Sequence, residues 1–285
     1  MQRRNFIGLA LCILIFLGGL FFKGDVSFYF NLASLMIVAG GSATAALLSF
    51  QIDRLRIVFR VVRSSYGSHL KSEAEIVDIL INLAIKSRME GILSLQQDED
   101  ETSILFLRRG LGCLVDNYEP QQIRDILNTE MYFFKLRRED SERVLRTIAD
   151  FCPAFGIIGS VAGLIPMLAG IDDTSIILKT VPLALTSILY GLVFANFFFI
   201  PFASHLRERT NRELLLQKII MEGILAIYGE LNPTVLRTKL LSFLTPAERR
   251  ADMVPLSRIQ ERFHIRTDER SDRDEVDDRP GPAVS

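Results

Sequence analysis

The chain carries no charge where it is most apolar. Four runs, residues 6–22, 28–50, 151–169 and 181–202, contain no Asp, Glu, Lys, Arg or His. Each reaches or approaches the roughly 20 residues that a membrane-crossing helix needs. Spans without ionisable groups have no proton relay and no counter-charge for a permeating ion. If the chain helps ions across a bilayer, another subunit has to supply the binding carboxylate. Cysteine is scarce too: Cys12, Cys113 and Cys152 show no metal-ligand spacing and read as apolar fillers, not as a disulfide framework. There is no His/Cys cluster, no G-x-x-x-x-G-K-[ST] and no G-x-S-x-G, so enzymatic chemistry has no foothold. A net charge of −1 makes no case for nucleic acid, which calls for a basic face.

Apolar residues make up 49% of the chain and charged residues 24%, with a mean hydropathy of +0.25. The charge lies outside the four runs, the pattern of an integral membrane protein with a substantial aqueous part. At the N-terminus, Gln2-Arg3-Arg4-Asn5-Phe6-Ile7 looks like a twin-arginine or secretory signal. No A-x-A-like cleavage site follows, and only residues 23–27 separate the first apolar run from the second. A retained first helix is therefore expected.

Basic residues orient such spans. Arg3 and Arg4 precede the first; Arg54, Arg56, Arg60 and Arg63 follow the second. Arg137, Arg138, Arg143 and Arg146 precede the third, and Arg207, Arg209 and Arg212 follow the fourth. The other connections, residues 23–27 and 170–180, are short and hold Asp172, Asp173 and a single Lys179 in the second of them. Every basic cluster thus falls on one side, expected to be the cytoplasm, with both termini inside.

The long inner segment reads as helical. Ile76, Val77, Ile79, Leu80, Leu83 and Ala84 recur at helical spacing, as do Ile104, Leu107, Leu111, Leu114 and Val115. Pro120 suits the first turn of another helix, which carries Ile123, Ile126 and Leu127 and is free to run on through the charged stretch 135–146 into the third span. The expected fold is an all-α integral membrane protein of four transmembrane helices, with a cytoplasmic helical subdomain between spans two and three. Its parts are a first transmembrane hairpin (1–50), the subdomain (51–150), a second hairpin (151–205), cytoplasmic C-terminal helices (206–245) and a charged tail (246–285) whose composition predicts disorder.

Small residues line the spans: Gly40-Gly41-Ser42-Ala43 in the second, Gly159 and Gly163 as G-x-x-x-G in the third, and Ser187, Gly191 and Ala195 in the fourth. Such ladders let helices approach closely in lipid. The hydroxyls of Ser160, Thr186 and Ser187 either bond their own helix carbonyls or offer oxygen to a partly dehydrated cation. Pro153 and Pro201 sit alike, at the inner ends of the third and fourth spans, and each removes a backbone hydrogen bond. Pro166 and Pro182 fit ordinary end positions nearer the outer face.

The residues from Ala149 to Leu164, ADFCPAFGIIGSVAGL, resemble the third-span signature of the flagellar stator A subunits, the MotA/PomA family. Leu185-Thr186-Ser187-Ile188-Leu189-Tyr190-Gly191, with Asn196 and Phe199-Ile200-Pro201, is similar to that family's fourth span. Met221-Glu222-Gly223-Ile224-Leu225-Ala226-Ile227, Asn232-Pro233, and Lys86-Ser87-Arg88 through Gly91 agree as well, so the likeness runs from about Phe6 to Leu244. It implies a pentamer in the bacterial inner membrane around two B subunits, each bringing one transmembrane helix with an ion-binding Asp and a peptidoglycan-binding domain. It also implies that Pro153 and Pro201 couple ion passage to movement, and that Arg88 faces the rotor switch protein. The family's acidic position eight residues after that arginine is Gln96 here, with acids only from Asp98 to Glu101, so the rotor contact is displaced or different. No cofactor is implied beyond the permeating ion, Na⁺ or H⁺. Sodium-type members carry hydroxyls at the positions of Ser160 and Thr186, which favours Na⁺. An ExbB/TolQ-type energiser, a three-span relative, and a non-conducting membrane scaffold are the competing possibilities.

Overall fold

The computed structural model describes residues 29–67, 71–169 and 174–245, together with Leu11, Leu14, Ile15 and Gly18, which are helical. Most of the first apolar run, Cys12, Asp172, Asp173 and the charged tail lie outside the described residues. Those described are almost wholly α-helical and contain no strand. The elements are α1 (Leu32–Ser49), α2 (Ile52–Gly67), α3 (Glu73–Glu90), a 3₁₀ turn (Ile92–Leu95), α4 (Gln96–Glu101), α5 (Leu105–Val115), α6 (Pro120–Ala169), α7 (Thr174–Val193), a π-helical turn (Phe194–Phe199), α8 (Ile200–Tyr228) and α9 (Pro233–Leu241).

Local chemistry sets the boundaries. The Asn31 side chain caps α1 by accepting from the amides of Ala33 and Ser34. Ser72 caps α3, where Glu73 and Glu75 complement the positive end of the helix. Gly91, at φ 84°, ends it in a conformation that favours glycine. Pro120 opens α6 at a position where no amide donor is needed. The helix then runs unbroken through the charged stretch into the apolar one, with Glu142–Arg146 at 2.8 Å among its one-turn ion pairs. Its 50 residues extend for about 75 Å.

Three helical stretches are long and apolar enough to cross a membrane: α1, the apolar part of α6, and α7 with its continuation. The last link differs from expectation. Helix α7 begins at Thr174, because Ile176, Ile177 and Leu178 extend it outwards and Thr180 bonds back to the Ile176 carbonyl at 2.8 Å. Pro182 consequently lies inside the helix and is not an end position, whereas Pro166 sits in the last turn of α6.

Two kinds of interior result. A helical head packs α3, α5 and α9 against the first part of α6 and the last part of α8. Its core includes Ile76, Leu80, Leu107, Leu111, Ile123, Leu127, Ile220 and Ile224, all almost fully buried. Between head and apolar segments, α2 lies along α6 and α8 through a smaller cluster of Val58, Val144, Leu145, Ala203 and Leu206. Buried Cys113 and Cys152 are free thiols, and Cys152 packs with Ala149 and Ala195.

Candidate functional site

Helices α6 and α7 touch through their small residues. A methyl group added at Gly159 would lie 2.8 Å from Ser187 Oγ, and one added at Gly191 would lie 2.6 Å from the Cys152 carbonyl oxygen. Side chains of any size would crowd that contact, so the glycines are what let α6 approach Ser187; Ser160 follows Gly159 and Thr186 precedes Ser187, so both flank the contact. All three are buried: Ser187 completely, Thr186 at 6% exposure and Ser160 at 9%.

The layer includes a hydroxyl that sequence reasoning missed. Ser34 of α1 is fully buried and lies 2.8 Å from Thr186 Oγ1, with the Leu183 carbonyl 2.9 Å away as a further acceptor. Thr186 Oγ1 donates to the Pro182 carbonyl at 2.7 Å, and Ser187 Oγ to that of Leu183 at 2.9 Å. A hydroxyl has one proton and two lone pairs. With its proton on the Pro182 carbonyl, Thr186 Oγ1 accepts from Ser34 and keeps one further lone pair, and Ser187 Oγ, its proton on the Leu183 carbonyl, likewise keeps acceptor capacity. Thr186 and Ser187 therefore follow the first of the two readings, bonding their own helix carbonyls. The signal for Ser34 was in the sequence: Ser34, Val38, Ser42 and Ala46 recur every four residues and form the buried stripe of α1.

Above this layer Tyr190 joins α7 to α1. Its hydroxyl donates to the Tyr29 carbonyl at 2.6 Å and accepts from the Asn31 amide at 2.9 Å. An apolar groove of about 260 Å³ opens beside it, lined by Tyr29, Val181, Pro182, Leu185, Thr186 and Leu189. Among the described residues no group of His, Cys, Asp or Glu could hold a metal ion.

Pro153 lies against the stretch of α7 and the turn that lead to Pro201, which is itself exposed. Pro153 Cα faces Gly191, and its neighbour Cys152 packs with Ala195, Phe194 and Phe199, which belong to the π-helical turn. That turn ends at Phe199, two residues before Pro201, with the Ile200 amide reaching back to the Ala195 carbonyl. A proline cannot donate to the carbonyl four residues back, and a widened turn accommodates both its ring and the lost bond. Helix then continues through Phe202 to Tyr228.

Arg88 is not part of this assembly. It is exposed in the last turn of α3, which packs in the head against α8 and α9. Gln96 begins α4 and is exposed. The acids that follow it are tied into the head: Asp98 accepts from Lys86 at 2.6 Å, which raises the Lys86 pKa, and Arg108 gathers the carbonyls of Glu99, Asp100 and Thr102.

Residues 98–218 match the MotA/TolQ/ExbB proton channel family. A motility protein A of Treponema phagedenis is 32% identical over 250 residues, covering 88% of this chain and 96% of that protein. The chain belongs to the motility protein A family. The chemotaxis protein PomA of Vibrio alginolyticus is 28% identical over 226 residues, covering 79% and 88% of the two chains. The flagellar MotAB stator complex of Bacillus subtilis contains a chain that superposes with a TM-score of 0.81 at 26% identity, covering 88% of this chain and 98% of that one. Motility protein A chains are membrane-embedded stator channel subunits of the flagellar motor, and this chain is one of them, not an enzyme.

Proposed function

We propose that this stator subunit works as four membrane spans carrying a cytoplasmic head, five copies surrounding two B subunits in the bacterial inner membrane. Residues 6–22 supply the first span; α1, the apolar part of α6, and α7 with its π-helical turn supply the others. The basic flanks set the head and both termini in the cytoplasm. One observation carries the reading. A member of a channel family has no ionisable group in its long apolar runs, so the charge that binds the ion belongs to a partner.

That partner is a B subunit, whose single transmembrane helix brings an Asp and whose periplasmic domain grips peptidoglycan. Its helix lies along the apolar groove beside Thr186. Ions pass the layer of Ser160, Thr186 and Ser187, with Ser34 behind it, and neutralise the partner's Asp in turn. The α6–α7 pair then bends at Pro153 and Pro201, and the head pushes the rotor switch protein through the surface around Arg88. Sodium is favoured over protons because the layer presents acceptor oxygens that a partly dehydrated Na⁺ needs and a proton does not.

Ion uptake into vesicles, measured with and without the B subunit, tests this. Uptake is expected only from the pair, and robust selective uptake by the A subunit alone overturns it.

A further inference from the structure

Three helices meet at one carboxylate and the two arginines it pairs with, a group that the stator mechanism does not use. Glu213 of α8 accepts from Arg138 of α6 at 3.1 Å through Oε2 and from Arg209 of its own helix at 2.9 Å through Oε1. Both arginines reach past it to the end of α2. Arg209 donates to the Ser65 backbone carbonyl, and Arg138 donates to Ser65 Oγ at 3.4 Å. The side chains of Arg138, Glu213 and Arg209 are only 18%, 14% and 11% exposed. Beside them, Tyr66 stacks on His205 with ring centroids 4.3 Å apart and meets Phe202 edge-on.

The position gives the clasp its meaning. Glu213 and Arg209 lie about two turns or more beyond Pro201, and Arg138 about four turns before Pro153. Each proline-bearing helix therefore contributes one arm, and α2, which continues from α1, supplies the anchor. One residue away, Arg212 points to the head, where it forms a bidentate pair with Glu73 at 2.7 and 2.8 Å. Adjacent residues of one helical turn thus face the two bodies that a power stroke has to connect.

We infer that Glu213 is a positioning residue for torque: it locks α6 and α8 so that bending at the prolines reaches the head as one movement and is not lost as slip between the helices. Desolvated, doubly hydrogen-bonded pairs resist sliding because any shift leaves a buried charge unpaired. Apolar contacts in the neighbouring cluster lack that directionality.

The inference rests on the stator reading, and the experiment separates the two. Glu213→Gln and Arg138→Gln are introduced into the complete A/B complex in cells. Membrane level, B-subunit pull-down, ion uptake and single-motor torque are then measured together. Both variants are expected to assemble and to take up ions within about twofold of the parent, while torque per unit of ion uptake falls about tenfold, the scale of losing a coupled pair. Arg138→Gln leaves the Arg209–Glu213 pair intact and keeps the test open where Glu213→Gln misfolds. Torque and uptake falling in proportion, unchanged torque, or loss of assembly in both variants overturns the coupling role. A parent complex that neither takes up ions nor turns a motor overturns the stator reading instead.

Discussion

The head and the apolar segments are both bundles of helices, yet they are held together in opposite ways. In the head, large side chains such as Ile76, Leu80, Leu111, Ile220 and Ile224 are buried and charged ones cover the outside. In the apolar segments the order is reversed. Leu164, Ile165, Leu168, Leu185 and Leu192 are exposed, while glycines, an alanine and hydroxyls form the contact between α6 and α7. Water explains the first arrangement, since burying a leucine contributes roughly 1.5–3 kcal/mol when the alternative is aqueous. Lipid gives no such return, so helices there associate by close backbone packing and hydrogen bonds.

The largest effect expected comes from adding one methyl group to each kind of interior. At Gly191 a Cβ meets backbone, the Cys152 carbonyl at 2.6 Å and Pro153 Cα at 3.1 Å, and neither can turn aside. At Gly223 a Cβ meets side chain only, Leu80 Cδ1 at 2.7 Å, Cδ2 at 2.8 Å and Cγ at 3.1 Å, which can shift with its core neighbours while the backbones stay in place. Gly191→Ala should push α6 and α7 apart, cost about 1–3 kcal/mol or more and abolish motility. Gly223→Ala should cost less, up to about 2 kcal/mol, because side chains can repack where backbones cannot and the helix propensity gained offsets part of the overpacking. Thermal unfolding of the purified complex and swimming speed check the pair; equal costs at the two sites would erase the distinction between the interiors.

How far the sequence could be read follows the same division. Apolar runs, helical periodicity in the head and the N-terminal signal of Pro120 marked α1, α3, α5, α6 and α7, because each depends on residues within a few turns of one another. Ser160, Thr186 and Ser187 were visible as hydroxyls in runs that contain little else polar. The pairings of Ser34, Tyr190 and Glu213 were not, although Ser34 lies on the every-fourth-residue stripe of α1 and Tyr190 within the fourth-span motif. Their partners lie far along the chain, at Thr186, Asn31 and Arg138, and no local pattern carries a pairing of that range. The π-helical turn escaped for another reason. Pro201 signals a lost hydrogen bond, but whether helix kinks, ends or widens depends on packing against Cys152.

Changing Pro153 and Pro201 should separate movement from assembly if they bend as proposed. Pro201→Ala restores an amide that can bond the Phe197 carbonyl, which removes the need for a widened turn and rotates the rest of α8 by about one residue, or roughly 100°. Pro153→Ala restores the equivalent bond in α6. Both variants should reach the membrane and bind the B subunit while motility falls several-fold, since what changes is helix geometry and not buried volume. Membrane level, pull-down and swimming are scored together; full motility in both would leave the prolines without a coupling role.

A smaller change is expected at the hydroxyl layer. Thr186→Ala removes an oxygen acceptor and little volume, so folding should shift by only about 1 kcal/mol. Its effect should show in ion dependence: swimming falls most at limiting Na⁺, with pH held fixed and ionic strength kept constant by K⁺. Speed that ignores Na⁺ but collapses with a protonophore would make the permeating ion a proton.

The smallest effect expected lies in the head, where charge and not packing is tested. Arg212 donates two hydrogen bonds to Glu73 and holds its carboxyl below the usual carboxylate range, against the opposing push of burial. A carboxylate whose folded pKa is depressed adds stability that is fully present above its unfolded pKa and is lost as pH falls through the folded value. Glu73→Gln should therefore lower stability at neutral pH by about 1–2 kcal/mol, a modest figure because Arg212 is half exposed and solvent screens part of its attraction. The gap between parent and variant should stay constant above the ordinary carboxylate pKa and close as the solution becomes more acidic. Unfolding midpoints measured across that range decide the matter: a gap that widens on acidification would mean that Glu73 is held protonated, and that the head tolerates buried charge no better than the apolar segments do.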